Sequence, residues 1–243
     1  LNGILSAGLL VGANRGTIAN IVINYSSNMA MPSTSNGNIS NADYTLRSTT
    51  SPAYMSTFGI VTGANFGTID NVRVNVGGNF VGRQQESAVN ATSSGIGQNR
   101  DARSWENTAI VGTLAGILVS GTISDTHVDI AAGVTIGASA DGRTKQGVLP
   151  AWRNAVAISG GMVGFFIGSN GMLQDSYLSG SGNVRALVCR GEKQGQGKGY
   201  NAFSGGITGG KFKISDGLRD SGDMITSAGS DIGDINAQIR GIV

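Results

Sequence analysis

Two stretches decide the fold: GLLVGANRGTIANIVIN at residues 8–24 and GIVTGANFGTIDNVRVN at residues 59–75. Laid over one another at an offset of 51 residues, they match Gly8 with Gly59, Gly12 with Gly63 and Asn14 with Asn65, then Gly16 with Gly67, Ile18 with Ile69 and Asn20 with Asn71. Self-similarity at a period of this length marks a repeat architecture. A third string, GTLAGILVSGTISDTHVDI from Gly112, places Gly116, Gly121, Ile123 and Asp125 in equivalent positions after a one-residue insertion. A fourth, GFFIGSNGMLQDSYLSG from Gly164, is read with Gly168, Asn170, Leu173 and Asp175 in register after a one-residue deletion. A weaker fifth, GGITGGKFKISD from Gly205, keeps Gly209, Ile214 and Asp216.

Within a unit, TIANIVIN and TIDNVRVN alternate apolar and polar residues with a period near two. Ile18, Val22, Ile69, Val72 and Val74 are β-branched. This is the pattern of a strand with one covered face. The preceding G-x-x-x-G carries short apolar runs and predicts a second strand, turned from the first by Gly-Ala-Asn-x-Gly, because Asn and Gly tolerate left-handed backbone angles. One such unit cannot bury its apolar face alone, so copies must stack. The expected fold is therefore all-β, a β-helix-like solenoid of four to five degenerate glycine-rich repeats with long loop insertions. Stacking would set Asn14, Asn65 and Asn170 above one another as a side-chain ladder.

The repeat domain is expected over residues 1–215, with cores near 6–25, 57–76, 110–131, 160–178 and 203–216. Residues 216–243 lose the motif and are read as a cap, a linker or a donated strand. The segments 26–56, 77–108, 133–155 and 179–201 change length and content between copies and are rich in Ser, Asn, Gly, Thr and Arg. They are expected to be loops, some completing a coil with less regular strands such as VDIAAGVTIGA around Val134.

Composition agrees. Forty glycines against three prolines exclude collagen and point to repeated tight turns, and 40% hydrophobic with 13% charged residues excludes a disordered chain. The net charge of +2 is scattered, with one looser group at Arg185, Arg190, Lys193, Lys198, Lys211 and Lys213, so no nucleic-acid groove is expected. A single cysteine, Cys189, forbids an intrachain disulfide and a multi-cysteine metal site. No run of about 18 apolar residues predicts a membrane-spanning helix. The chain begins at Leu1 without a signal-like start, which predicts a processed product or a fragment of a longer protein.

The string G-x-x-x-G-x-N-x-G-x-I-x-[ND], carried by Gly8, Gly12, Asn14, Gly16, Ile18 and Asn20 and again by Gly59, Gly63, Asn65, Gly67, Ile69 and Asn71, resembles the GLUG motif of bacterial surface and secreted repeat proteins. Counting every copy, the resemblance covers about a third of the chain. It implies a right-handed β-solenoid displayed outside the cell and nothing catalytic.

Site chemistry is sparse. His127 stands beside Asp125 and Asp129, but no G-x-S-x-G elbow accompanies it, and it reads as an exposed strand residue. Cys189 reads as a buried apolar side chain. GANRGT and GSNG lack the Lys-Ser or Lys-Thr of a phosphate loop. The acids Asp216, Asp220, Asp223, Asp231 and Asp234 read as a solvated tail in preference to a calcium site. The expectation is thus an extracellular bacterial structural or adhesive module, not an enzyme, with no cofactor and no metal. It would associate with itself end to end, or with a glycan or protein of a host or cell surface. Two other readings stay open: a carbohydrate-active β-helix enzyme using Asp125, Asp129 or Asp175, and a viral tail or fibre domain.

Overall fold

A computed structural model of the chain describes residues 4–30, 55–84, 108–141, 155–189, 200–212 and 239–240. Among these residues there is no helix; the protein is all-β, and every strand pairing is parallel. The first copy contributes β1 (Ile4–Gly8), β2 (Val11–Asn14), β3 (Thr17–Tyr25) and β4 (Met29–Ala30). The second contributes β5 (Met55–Gly59), β6 (Thr62–Asn65), β7 (Thr68–Val76) and β8 (Phe80–Gln84). The third contributes β9 (Thr108–Gly112), β10 (Ala115–Ser124), β11 (His127–Ile130) and β12 (Thr135–Asp141). The fourth contributes β13 (Ala155–Gly160), β14 (Val163–Gln174), β15 (Tyr177–Gly180) and β16 (Asn183–Cys189). The fifth is represented by β17 (Tyr200–Gly205), β18 (Lys211–Phe212) and β19 (Ile239–Arg240).

Each strand pairs with its counterpart in the next copy, which sorts them into three sheets. The first runs β1-β5-β9-β13-β17 and the third β4-β8-β12-β16. The second, of ten strands, is built mostly from the repeated glycine-rich stretches and begins with β2 and β3 on β6 and β7. The third sheet packs against the first: Gly82 of β8 abuts the side chains of Phe58 and Val111, and Ser159 donates to the Ile136 carbonyl at 3.3 Å.

The motif's glycines have local causes. Gly8, Gly59, Gly112, Gly160 and Gly205 end the five strands of the first sheet, and at all five a Cβ would collide with the carbonyl oxygen three residues on, at Val11, Thr62, Ala115, Val163 and Thr208. The second glycine meets a different obstacle. Gly63, Gly116, Gly164 and Gly209 each lie against backbone of the first-sheet strand of the preceding copy, at Ala7, Phe58, Val111 and Ser159. Hence G-x-x-x-G records one tight corner followed by one close approach, and the strand expected along it is instead the break between β1 and β2 or β5 and β6, with Gly-Ala-Asn in the strand that follows.

Asn20, Asn71, Asp125 and Asp175 share a third constraint. All four have φ between 46° and 58°, the left-handed region, where short polar side chains pay least for their Cβ. This corner splits the second sheet into two flanks. Before it, Ile18, Ile69, Ile123, Leu173 and Ile239 align in one column, of which Ile69, Ile123 and Leu173 are fully buried. Each buried aliphatic side chain contributes about 1.5–3 kcal/mol. After the corner, Val72 and Val74 of the second copy and Val128 of the third continue the core. One inward position turns polar there: the Thr126 hydroxyl and backbone N–H donate to Ser176 Oγ at 2.8 and 3.1 Å, and Ser176 donates to the Gln174 carbonyl at 2.7 Å.

The fourth copy corrects its sequence alignment. The counterpart of Gly8, Gly59 and Gly112 is Gly160, and Gly164 aligns with Gly116. Because Gly160, Gly164 and Gly168 are spaced alike, two frames compete. The observed one sets Ile158 against Ile110 and Phe165 and Phe166 against Ile117 and Leu118. Gly168 then falls in a bulge, with Ile167, Gly168 and Ser169 opposite the single residue Val119, so the copy carries an insertion, not a deletion. In the fifth copy Gly205 pairs with Gly160, not with Gly164 as the expected frame of the fourth copy required. Ile214 and Asp216 lie outside the described residues, and Ile239 stands opposite Leu173.

Thr113 is fully buried with an Oγ1 that has no hydrogen-bond partner among the described residues, at the position Ile60 holds one copy earlier. An unsatisfied buried hydroxyl costs about 1–3 kcal/mol. Thr113→Val should therefore raise stability by about 1 kcal/mol or more, measured as a higher urea midpoint with unchanged slope.

Candidate functional surface

After the left-handed corner, β3, β7, β11 and β15 alternate residues in and out. With the inward column at Ile23, Val74, Val128 and Leu178, two outward columns follow by register: Val22, Arg73, His127 and Tyr177, then Asn24, Asn75, Asp129 and Ser179. The corner residues Asn20, Asn71, Asp125 and Asp175 flank them. Neighbouring members of a column lie about 4.8 Å apart, the spacing of paired strands. At its ends the middle column is open, with Val22 63% and Tyr177 46% exposed.

Amides bind the first two copies. Asn71 Nδ2 donates to Asn20 Oδ1 at 2.8 Å and Asn75 Nδ2 to Asn24 Oδ1 at 2.7 Å, both on the exposed face. At the buried ends of β2 and β6, Asn14 Nδ2 donates to Asn65 Oδ1 at 2.8 Å, while Asn14 Oδ1 accepts from Gly16 N–H at 3.1 Å. The expected ladder thus forms between Asn14 and Asn65 but does not reach Asn170, which pairs with Ser120. Leu118 and Phe166 occupy the later places of that column, where apolar bulk replaces the amide. The Asn20–Asn71 and Asn24–Asn75 pairs were not singled out as a ladder by sequence; identical residues at the repeat offset were the available signal.

Ionisable groups bind the next two copies. Ser179 Oγ donates to Asp129 Oδ1 at 2.7 Å and lies 2.8 Å from His127 Nε2. A hydroxyl has one proton, and Asp129 receives it, so Nε2 carries the imidazole proton and donates to Ser179. His127 Nδ1 is then a bare lone pair, buried and without a partner among the described residues. The ring stacks on Tyr177, centroids 3.9 Å apart and planes 22° from parallel. Burial pushes the imidazole below its ordinary 6.5; Arg73, one copy earlier in the same column, adds to this and Asp129 opposes it.

A nucleophilic triad needs the acid on the histidine and the histidine taking the serine's proton. Here the serine hydroxyl donates to the carboxylate and the histidine donates to the serine, so the arrangement ties strands together instead of activating Ser179. His127 is partly buried in a cross-copy network, more engaged than the exposed strand residue the sequence predicts. Asp125 and Asp175 do stack in adjacent copies, but their left-handed φ already accounts for the residue type.

Among the described residues no group of three His, Cys, Asp or Glu could hold a metal ion, and no helix is long and apolar enough to cross a membrane. Asp216, Asp220, Asp223, Asp231 and Asp234 lie outside the described residues, as do Arg190, Lys193, Lys198 and Lys213. Cys189 ends β16. A cavity of about 370 Å³ opens at the fourth copy, walled by Ile130, Leu178, Val184, Gly180, Gly182 and Gly205 among others, and among the described residues no ionisable side chain lines it. Comparison with protein families, curated proteins and solved structures finds no match to this chain.

If conformation selects the corner residues, Asn71→Gly and Asp175→Asn should change stability little, whereas Asn71→Ile should cost about 1–2 kcal/mol. Urea denaturation of the three variants measures this; equal effects of Gly and Ile at position 71 would refute it.

Proposed function

We propose that this chain is a right-handed β-solenoid serving as a structural and adhesive module of an extracellular bacterial repeat protein, akin to those that carry the GLUG motif. The observation that carries the reading is the unbroken parallel pairing of each copy on the next, with the same glycine corner at Gly8, Gly59, Gly112, Gly160 and Gly205. Such a stack yields length and stiffness from short units, each relying on its neighbour for burial. The outward columns leave a regular face of amide, hydroxyl, carboxylate and ring groups suited to contact with a glycan or protein surface.

The stack's first copy supports self-association as well. Leu9 and Leu10 are 40% and 49% exposed, while their counterparts Ile60 and Val61 are fully buried one copy on. An apolar layer with an open strand edge is a template for adding another chain.

Negative-stain microscopy and small-angle scattering over a concentration series test this. The expected result is an elongated particle whose length grows with concentration, and Leu10→Lys should arrest the growth. Compact particles of constant mass at every concentration would contradict the proposal.

A further inference from the structure

The network at His127 links three copies with chemistry that a pure scaffold does not need. It lies on β11 between β7, which presents Arg73 and Asn75, and β15, which presents Tyr177 and Ser179, with Asp129 two residues along its own strand. Asp125 and Asp175 stand at the adjoining corners. The contacts to the fourth copy are the Nε2 bond to Ser179 and the ring stack on Tyr177. Both depend on how the ring is seated.

Consider what a second proton would do. It must land on Nδ1, which is buried and faces no acceptor. A new N–H there would be desolvated and unsatisfied, and the ring would become a cation in the same column as Arg73. Asp129 offsets part of that charge, but it lies on the Nε2 side through Ser179 and is no hydrogen-bond partner of Nδ1. The unsatisfied N–H bears on the ring that makes both contacts to the fourth copy, while repulsion from Arg73 acts from the second copy and pushes the same ring out of its seat.

We propose that His127 is an acid-sensitive latch: neutral, it fastens the fourth copy to the third, and protonated, it loosens that seam while the amide-bonded seam between the first two copies stays closed. The direction in pH follows from linkage. A base whose folded-state value is lowered takes up fewer protons when folded, so its stabilisation is complete above the ordinary value of 6.5 and is lost as pH falls through the lowered folded value. The seams respond differently because Asn20–Asn71 and Asn24–Asn75 have no group that titrates near neutrality. The latch depends on the fold alone and would stand if the adhesive role failed.

The chain has one histidine, so its imidazole signals are assigned without mutagenesis. The test combines an NMR titration of the full chain with urea unfolding and amide exchange between about pH 7.5 and about pH 5.5. Expected are a His127 midpoint below 6.5, raised toward it by Arg73→Gln, and a urea midpoint that falls on acidification. Exchange should quicken in β11 and β15 but not between β3 and β7. His127→Gln should flatten the pH dependence of unfolding across this window. A wild-type midpoint at or above 6.5, acid-quickened exchange spread evenly over all copies, or an undiminished pH dependence in His127→Gln would each overturn the proposal. The wild-type titration and exchange together decide the matter even if a variant does not fold.

Discussion

Parallel backbone pairing at an offset of about fifty residues is the constraint on which everything else in this protein rests. A strand in such a sheet satisfies its N–H and C=O groups on the copy before and the copy after, and a slip of one residue would turn every inward side chain outward. Each copy must therefore reproduce the backbone path of its neighbour. Where that path bends sharply at Gly59 or Gly112, where it presses on the preceding copy at Gly63 or Gly116, and where it turns left-handed at Asn71 or Asp125, the choice of residue is narrow. Elsewhere it is wide.

That division explains what could be read from sequence. The second sheet was legible because its glycines and its Asn or Asp corners answer to backbone geometry, which tolerates few substitutes. The first and third sheets were largely missed. Their inward positions ask only for apolar bulk, so Phe80, Ile136 and Val184 share a column without sharing an identity. The fourth copy's frame was misread because three evenly spaced glycines fit two alignments, and only the pairing of Ile158 with Ile110 separates them. Asn170 failed as a ladder member for the same reason. At His127, Asp125 and Asp129 were visible as sequence neighbours, whereas Ser179 and Tyr177, the groups that define its environment, come from the next copy.

The outward columns are where the sequence is free to carry function, since they lie off the apolar core. Along the stack their chemistry changes from amides between the first and second copies to a serine, a carboxylate and an imidazole between the third and fourth. The backbone is uniform while the side chains that lace it are not. Seams of unequal character follow: one insensitive to protons, one dependent on a neutral ring. In the proposed solenoid, whose task is to be long and to hold surfaces together, such a difference would set where the rod yields first when its surroundings acidify.

Cross-linking tests the stacking most directly. With Cys189 replaced by Ser, a Val22→Cys, Arg73→Cys pair places two thiols on directly paired residues of β3 and β7, within the Cα separation a disulfide requires. Mild oxidation of that protein should close an intrachain bond rapidly and in high yield. A control pair shifted by two residues, Val22→Cys with Asn75→Cys, should not. Efficient closure of the shifted pair, or none in the paired one, would contradict the copy-on-copy register from which the whole account follows.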